Sequence, residues 1–191
     1  MTESEVLKLF KSEKALLEGH FLLSSGLHSA SYMQCALLLQ KPRVAEELCK
    51  TLAVKIKDKP SVVIGPALGG IVVAYELGRA LKVRGIFSER VDGSLALRRG
   101  FSIERGEKVL VAEDVVTTGK STNEVIGLVK QSGAVPCGVA AIVDRSGGAN
   151  PFSTPFYSLL KINIDSHKPE ACPLCKEGKL PAVKPGSRGL K

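Results

Sequence analysis

Tryptophan is absent from this chain of 191 residues, and there are only three tyrosines and six phenylalanines. A surface that binds nucleic acid by stacking bases on aromatic rings is poorly supported by so few. Acidic residues are also in deficit, 19 Asp and Glu against 27 Lys and Arg, for a formal charge of +8. The basic residues are scattered, with local density only at Arg98-Arg99 and in the tail from Lys176. That spread fits an anionic small substrate better than a nucleic-acid groove. No apolar run nears the roughly 20 residues that span a bilayer. The opening "MTESEVLKLFKSEKALLEGH" is amphipathic and charged, without a signal-peptide core. A cytoplasmic protein with no membrane and no nucleic-acid partner is expected. Five cysteines, an odd number in such a chain, argue against a disulfide framework. Cys35, Cys49 and Cys137 stand in apolar surroundings and read as small core residues.

The length fits one domain. Val6, Leu7, Phe10, Leu16 and Leu17 recur at helical spacing and predict a helix over 3–18. "LLSSGLHSASY" is polar and Gly-punctuated, so a loop or hairpin. A second helix starts at Pro42, a residue tolerated in a first turn. "SVVIGP", "GIFSER", "KVLVAEDV", "CGVAAIVD" and "FYSLLKINI" read as strands. "GGIVVAYELGRALKV" and "STNEVIGLVKQSG" read as helices, the latter with Ser121 or Thr122 as N-cap and Gly133 beyond its end. Val91–Gly106 shows no period, and the tail from His167 reads as an extended appendage. Strands alternating with helices predict an α/β fold with a mainly parallel central sheet flanked by helices. Ligands in such folds bind at the carboxyl ends of the strands. The loops 65–70, 113–121 and 144–148 should therefore gather on one edge.

"VLVAEDVVTTGKST" (109–122) ends in Gly-Lys-Ser, like a nucleoside triphosphatase loop. The Walker pattern, however, needs Gly where Asp114 stands, so that reading fails. Thr117, Thr118, Gly119, Lys120 and Ser121 lead into a helix N-terminus, whose free N–H groups and dipole suit one phosphate monoester. Glu113 and Asp114, at the preceding strand end, suit vicinal hydroxyls. A ribose 5-phosphate satisfies both, and the acids could also help hold Mg²⁺.

The whole string resembles the phosphoribosyl-pyrophosphate (PRPP) motif of type I phosphoribosyltransferases, with Glu113 where Asp is frequent. "GPALGGIVVA" resembles that family's pyrophosphate loop, in which glycines admit backbone amides to the ligand. "FLLSSGLHSASYMQCALLLQKP" and "AAIVDRSGG" resemble segments of the orotate phosphoribosyltransferases within the family. The likeness runs from about Gly19 to the C-terminus. It is closest to a branch with "FSERVDGSLALRRGF" and a "CPLCKEG" tail.

The resemblance implies a type I phosphoribosyltransferase fold in one domain, 1–191. Its core is about 40–165, and a hood of about 1–38 plus 166–191 covers the base. It implies transfer of the 5-phosphoribosyl group from PRPP to orotate, with Mg²⁺ held through substrate and with help from Asp114. PRPP would lie on Glu113, Asp114, Val115, Val116 and Thr117 through Ser121, its pyrophosphate on Ala67, Leu68, Gly69 and Gly70. Orotate would meet Arg145, whose planar guanidinium suits a carboxylate, together with Thr117, Tyr32 and Ser25. A flexible basic loop of the family, here 90–105, would close over the site, its arginines Arg90, Arg98 and Arg99 stabilising charge beside Glu113 and Asp114. A homodimer with shared active sites is implied too. The better-known branch carries lysines where Ser24 and Gly69 stand; His28, Arg90, Arg98 or Arg99 would compensate. A purine phosphoribosyltransferase and a PRPP-binding regulator are the competing readings.

Cys172-x-x-Cys175 supplies half the ligands of a structural zinc site. No second Cys pair exists, His167 is a candidate third ligand, and a metal-free turn is the preferred reading.

Overall fold

The computed structural model describes residues 1–23 and 25–184. Ser24 and the end of the expected hood, 185–191, lie outside the described residues. Helix α1 (Glu3–Ser12) opens on a capping box: Glu5 N donates to Thr2 Oγ1 at 3.3 Å and Thr2 N to Glu5 Oε2 at 2.7 Å. The helix stops short of the predicted residue 18. Lys14 takes a left-handed φ of 54°, and Leu16 and Leu17 start strand β1 (Leu16–Leu22) instead. A turn then leads to β2 (His28–Met33), antiparallel to β1 with Leu22 facing His28. The Gly-punctuated segment is thus a hairpin.

A short helix α2 (Ala36–Leu39) and α3 (Pro42–Lys55) lead into the alternating part. It runs β3 (Val62–Pro66), α4 (Gly69–Leu81), β4 (Arg84–Val91), β5 (Ser94–Leu97), β6 (Lys108–Val116), α5 (Lys120–Gln131), β7 (Val135–Asp144) and β8 (Phe156–Lys161). The sheet order is β5-β4-β3-β6-β7-β8, with every pairing parallel except β4–β5. Strand β6 sits inside the sheet, which its apolar run requires. Its residues alternate between faces: Leu110 and Ala112 join the core under α1, α3 and α4, while Val109 and Val111 join the core under α5.

Two segments depart from expectation. The irregular stretch 91–106 contains a β-hairpin, because Asp92 (φ 48°) and Gly93 (φ 86°) form the two-residue turn between β4 and β5. Asp-Gly is a strong hairpin signal that the lack of periodicity obscured. The tail is not an appendage up to residue 184. Strand β9 (Ser166–His167) pairs with β2, a 3₁₀ turn (Pro169–Ala171) and helix α6 (Pro173–Glu177) follow, and Val183 exchanges backbone hydrogen bonds of 2.9 Å with His20 and Leu22. These contacts come from residues distant in sequence, which local composition does not reveal. Among the described residues no helix is long and apolar enough to cross a membrane.

Candidate active site

The parallel register brings the ends of β3, β6 and β7 to one edge, as expected. The turn from β3 into α4 is built without side chains. A Cβ on Gly65 would lie 2.2 Å from Gly70 O, and one on Gly70 would lie 2.8 Å from Pro66 and 2.9 Å from Ala112 O. The Ala67–Leu68 peptide within this turn is cis. A Cβ on Gly69 would meet the Asp114 carboxylate at 2.6 Å. The glycine at the position of the related lysine thus lets the Asp114 side chain lie against the start of α4. A lysine here would have to displace that carboxylate.

Asp114 is half-buried and accepts the Val115 N–H at 2.8 Å; Glu113 is buried and accepts the Asp114 N–H at 3.3 Å. Burial pushes both carboxyls above their ordinary values, and for Glu113 the Asp114 charge adds to it. A buried acid pair with so few donors is primed for a ligand that brings hydroxyls or a cation. The strain has a pH signature. An acid with a raised folded value costs no stability below its ordinary value of 4.5; the cost grows as pH rises above 4.5 and is complete once pH passes the raised folded value. Glu113→Gln should therefore melt higher than the parent at pH 8, by roughly 2–4 °C for each kcal/mol relieved. The gap should close toward pH 4.5 in calorimetry; a gap independent of pH would refute this account.

Beyond the acids, β6 ends in a pocket of about 80 Å³ lined by Glu113 and Val115 through Thr122. Helix α5 starts at Lys120. Its N-cap is Gly119 (φ 72°) rather than Ser121 or Thr122, and Gly119 offers no side-chain cap. Lys120 N–H donates to Thr118 Oγ1 at 3.4 Å, and the Ser121 and Thr122 N–H groups are left to the pocket, as an anion requires. Gly119 is needed twice, for its left-handed φ and because a Cβ would meet Phe152 at 2.8 Å. The 146–152 loop therefore packs on the phosphate-sized pocket, a contact the sequence reading missed.

Arg145 follows β7, and its N–H donates to Val116 O at 2.8 Å, next to Thr117. Its neighbour Asp144 is not its partner, since Asp144 Oδ1 accepts from Ser146 N (2.9 Å) and Ser146 Oγ (2.7 Å). Arg145 Nε is buried without a hydrogen-bond partner. Burial lowers its ordinarily very high pKa, the mark of a cation lacking a counter-charge. Cys35 is buried, and burial together with the charges of Asp114 and Glu113 pushes its thiol pKa up. The other two outlying cysteines also fit the core reading, Cys49 fully buried and Cys137 half-buried.

The remaining expected residues lie around this centre. Arg90 bonds Glu124 at 2.7 Å, and Arg99 holds Glu89 through two bonds of 2.8 and 2.9 Å. Arg98 is exposed and has no ion pair among the described residues. Tyr32 is half-buried, its ring 5.8 Å from that of Phe21, and Ser25 is exposed in the hairpin turn. No hydrogen bond ties either to the strand-end loops among the described residues. His28 is buried against His20 at 2.8 Å and is not free to replace a lysine.

Residues 38–174 match the phosphoribosyl transferase domain. The chain is 57% identical over 187 residues to the orotate phosphoribosyltransferase of Carboxydothermus hydrogenoformans, covering 96% of this chain and 97% of that one. It is 55% identical to that of Caldicellulosiruptor saccharolyticus over the full length of both. Among solved structures, orotate phosphoribosyltransferase from Aeropyrum pernix superposes with a TM-score of 0.66 at 25% identity, covering 82% of this chain and 93% of that one. The chain therefore belongs to the phosphoribosyl transferase family, among its orotate phosphoribosyltransferases.

Proposed function

We propose that the chain transfers the 5-phosphoribosyl group of PRPP to orotate, releasing pyrophosphate and orotidine 5′-monophosphate. The observation that carries the choice of base is Arg145, a half-buried guanidinium at the end of β7 whose Nε lacks a partner and whose backbone bonds Val116 before Thr117. Orotate brings a planar carboxylate, which a guanidinium receives through two parallel N–H bonds. The family and its relatives support the rest.

Glu113 and Asp114 take the ribose hydroxyls. Thr117 through Ser121 and the start of α5 take the 5′-phosphate, with Val115 and Val116 walling the sugar. The turn Ala67–Gly70 offers backbone N–H groups to pyrophosphate. Breaking the bond at C1′ makes an oxocarbenium-like ribose, and two carboxylates below the sugar favour positive charge there. The same donor set fits Mg²⁺, which takes carboxylate, water and substrate oxygens. When bound through PRPP and Asp114, the ion supplies charge neutralisation on the leaving group. Arg90, Arg98 and Arg99, on or after the β4–β5 hairpin, supply further positive charge. The ion pairs of Arg90 and Arg99 are solvent-exposed and contribute little to stability, which makes their exchange for pyrophosphate cheap. The hairpin β1–β2 and the C-terminal segment form the hood, bringing Ser25 and Tyr32 over the base. A reducing, cytoplasmic setting fits five cysteines without a disulfide.

Sharing of the site between two copies of the chain is supported by an apolar stripe. Leu68 (84% exposed), Val72 (38%) and Tyr75 (63%) recur at helical spacing along the first turns of α4, next to the pyrophosphate turn. Tyr75→Asp should convert a dimer to monomer in analytical ultracentrifugation with little loss of thermal stability; a parent that sediments as a monomer would sink the homodimer.

Loss of orotate absorbance on adding PRPP and Mg²⁺ tests the function. Turnover of adenine or another base in place of orotate would favour the purine reading. PRPP binding without turnover of any base would favour a regulator. The intact acid pair and phosphate loop weigh against that last reading.

A further inference from the structure

Away from the strand-end loops, His20 on β1, His28 on β2, and Cys172 and Cys175 around α6 converge. Their ligand atoms all lie within 4.8 Å of one another. His20 Nε2 stands 2.8 Å from His28 Nδ1, 3.5 Å from Cys172 Sγ and 3.6 Å from Cys175 Sγ, while Cys175 Sγ is 3.2 Å from His28 Nδ1. A tetrahedral zinc with Zn–N of about 2.0 Å and Zn–S of about 2.3 Å spaces its nitrogen and sulfur ligands roughly 3.5 Å apart. We propose that His20, His28, Cys172 and Cys175 form a structural Cys₂His₂ zinc site that staples the N-terminal hairpin to the C-terminal segment.

Hydrogen-bond accounting favours a cation over a metal-free network. His20 Nδ1 lies 2.9 Å from Leu180 O, so it carries the proton and donates it. His20 Nε2 is then left with one lone pair, faced by three groups at once. A proton from His28 could satisfy one of these lines and would leave both sulfurs poorly placed; a metal ion satisfies all four groups. The carbonyl on the far nitrogen also sets tautomer and ring orientation, as outer partners of metal-bound histidines do. His20, His28 and Cys172 are buried, and four protein ligands close the coordination sphere. The site is therefore structural, not catalytic.

The cluster replaces the reading in which His167 was the third ligand and a metal-free turn was preferred. His167 lies opposite His28 in the β2–β9 pairing but outside the group. The C-x-x-C half was visible in sequence. The other half is a histidine pair spaced by a hairpin, which becomes a pair of neighbours only when β1 and β2 meet. The staple joins residues some 150 positions apart and closes beside Leu22–His28, the turn that carries Ser25. Metal binding energy thereby becomes folding energy for the hood.

The test is metal analysis of the full-length protein, expressed with zinc and purified without chelator or affinity tag. About one zinc per chain is expected, consistent with a four-ligand site. Cobalt exchanged into it should show tetrahedral d–d bands with thiolate charge transfer. Cys175→Ala, at an exposed ligand, should lose the metal while the chain stays folded by circular dichroism, and Cys137→Ala and His167→Ala should retain it. A folded, reduced parent without zinc after reconstitution overturns the proposal, as does a Cys172–Cys175 disulfide in the freshly isolated protein. Retention of zinc by Cys175→Ala would overturn the assigned ligand set. None of these readouts depends on orotate turnover.

Discussion

Asp114→Asn is expected to lower turnover by roughly 10²-fold or more, the scale of losing one preorganised charge at a reacting centre, while the chain folds as before. The side chain accepts the Val115 N–H at 2.8 Å and lies in the space left by Gly69. Asparagine keeps its size and an oxygen for that bond. What it loses is negative charge beneath the sugar, where positive charge develops as the bond to pyrophosphate breaks. The loss should therefore appear in kcat more than in the KM for PRPP, because the charge matters most in the transition state. The folded structure should gain slightly, since burial already holds the Asp114 carboxyl above its ordinary pKa. Steady-state kinetics beside a melting curve would check this, and full activity in the variant would remove Asp114 from the chemistry.

Arg145→Gln should raise the KM for orotate by roughly 30-fold or more, from the 2–5 kcal/mol that a buried charge pair loses with one partner. The KM for PRPP should change little. The physical ground is the unpartnered Nε and the burial-lowered pKa. In the empty protein this cation is a net cost, so its removal should not lower the melting temperature. A surface arginine held by an ion pair would behave in the opposite way, with a small loss of stability and no selective effect on orotate. If orotate KM stays within threefold of the parent, the carboxylate is held elsewhere.

Much of this was legible in one dimension because the determining forces are local. The apolar runs of β3, β6 and β7 have to be buried on both faces, which a parallel sheet provides. The same strands must then end on a common edge, so the sequence alone assigns Glu113, Asp114, Thr117 and Arg145 to one rim of the sheet. The phosphate loop was likewise readable, since a Thr-Thr-Gly step into a helix carries its own N–H donors. Where reading failed, the cause was competition between local and distant contacts. Leu16 and Leu17 continue a helical pattern but pair across to Tyr32 and Met33. The α5 cap was assigned to Ser121 or Thr122 on propensity, whereas packing against Phe152 leaves space only for Gly119.

Sequence by itself determined the sheet, the ligand edge and the phosphoribosyl chemistry, because strand burial, helix N-termini and paired carboxylates act over a few residues. Only the tertiary structure decided that Gly69 makes room for Asp114, that Asp144 leaves Arg145 without a partner, and that His20 and His28 meet Cys172 and Cys175. These depend on which side chains arrive at one point from opposite ends of the chain. Such meetings are set by strand register and packing, not by spacing along the sequence.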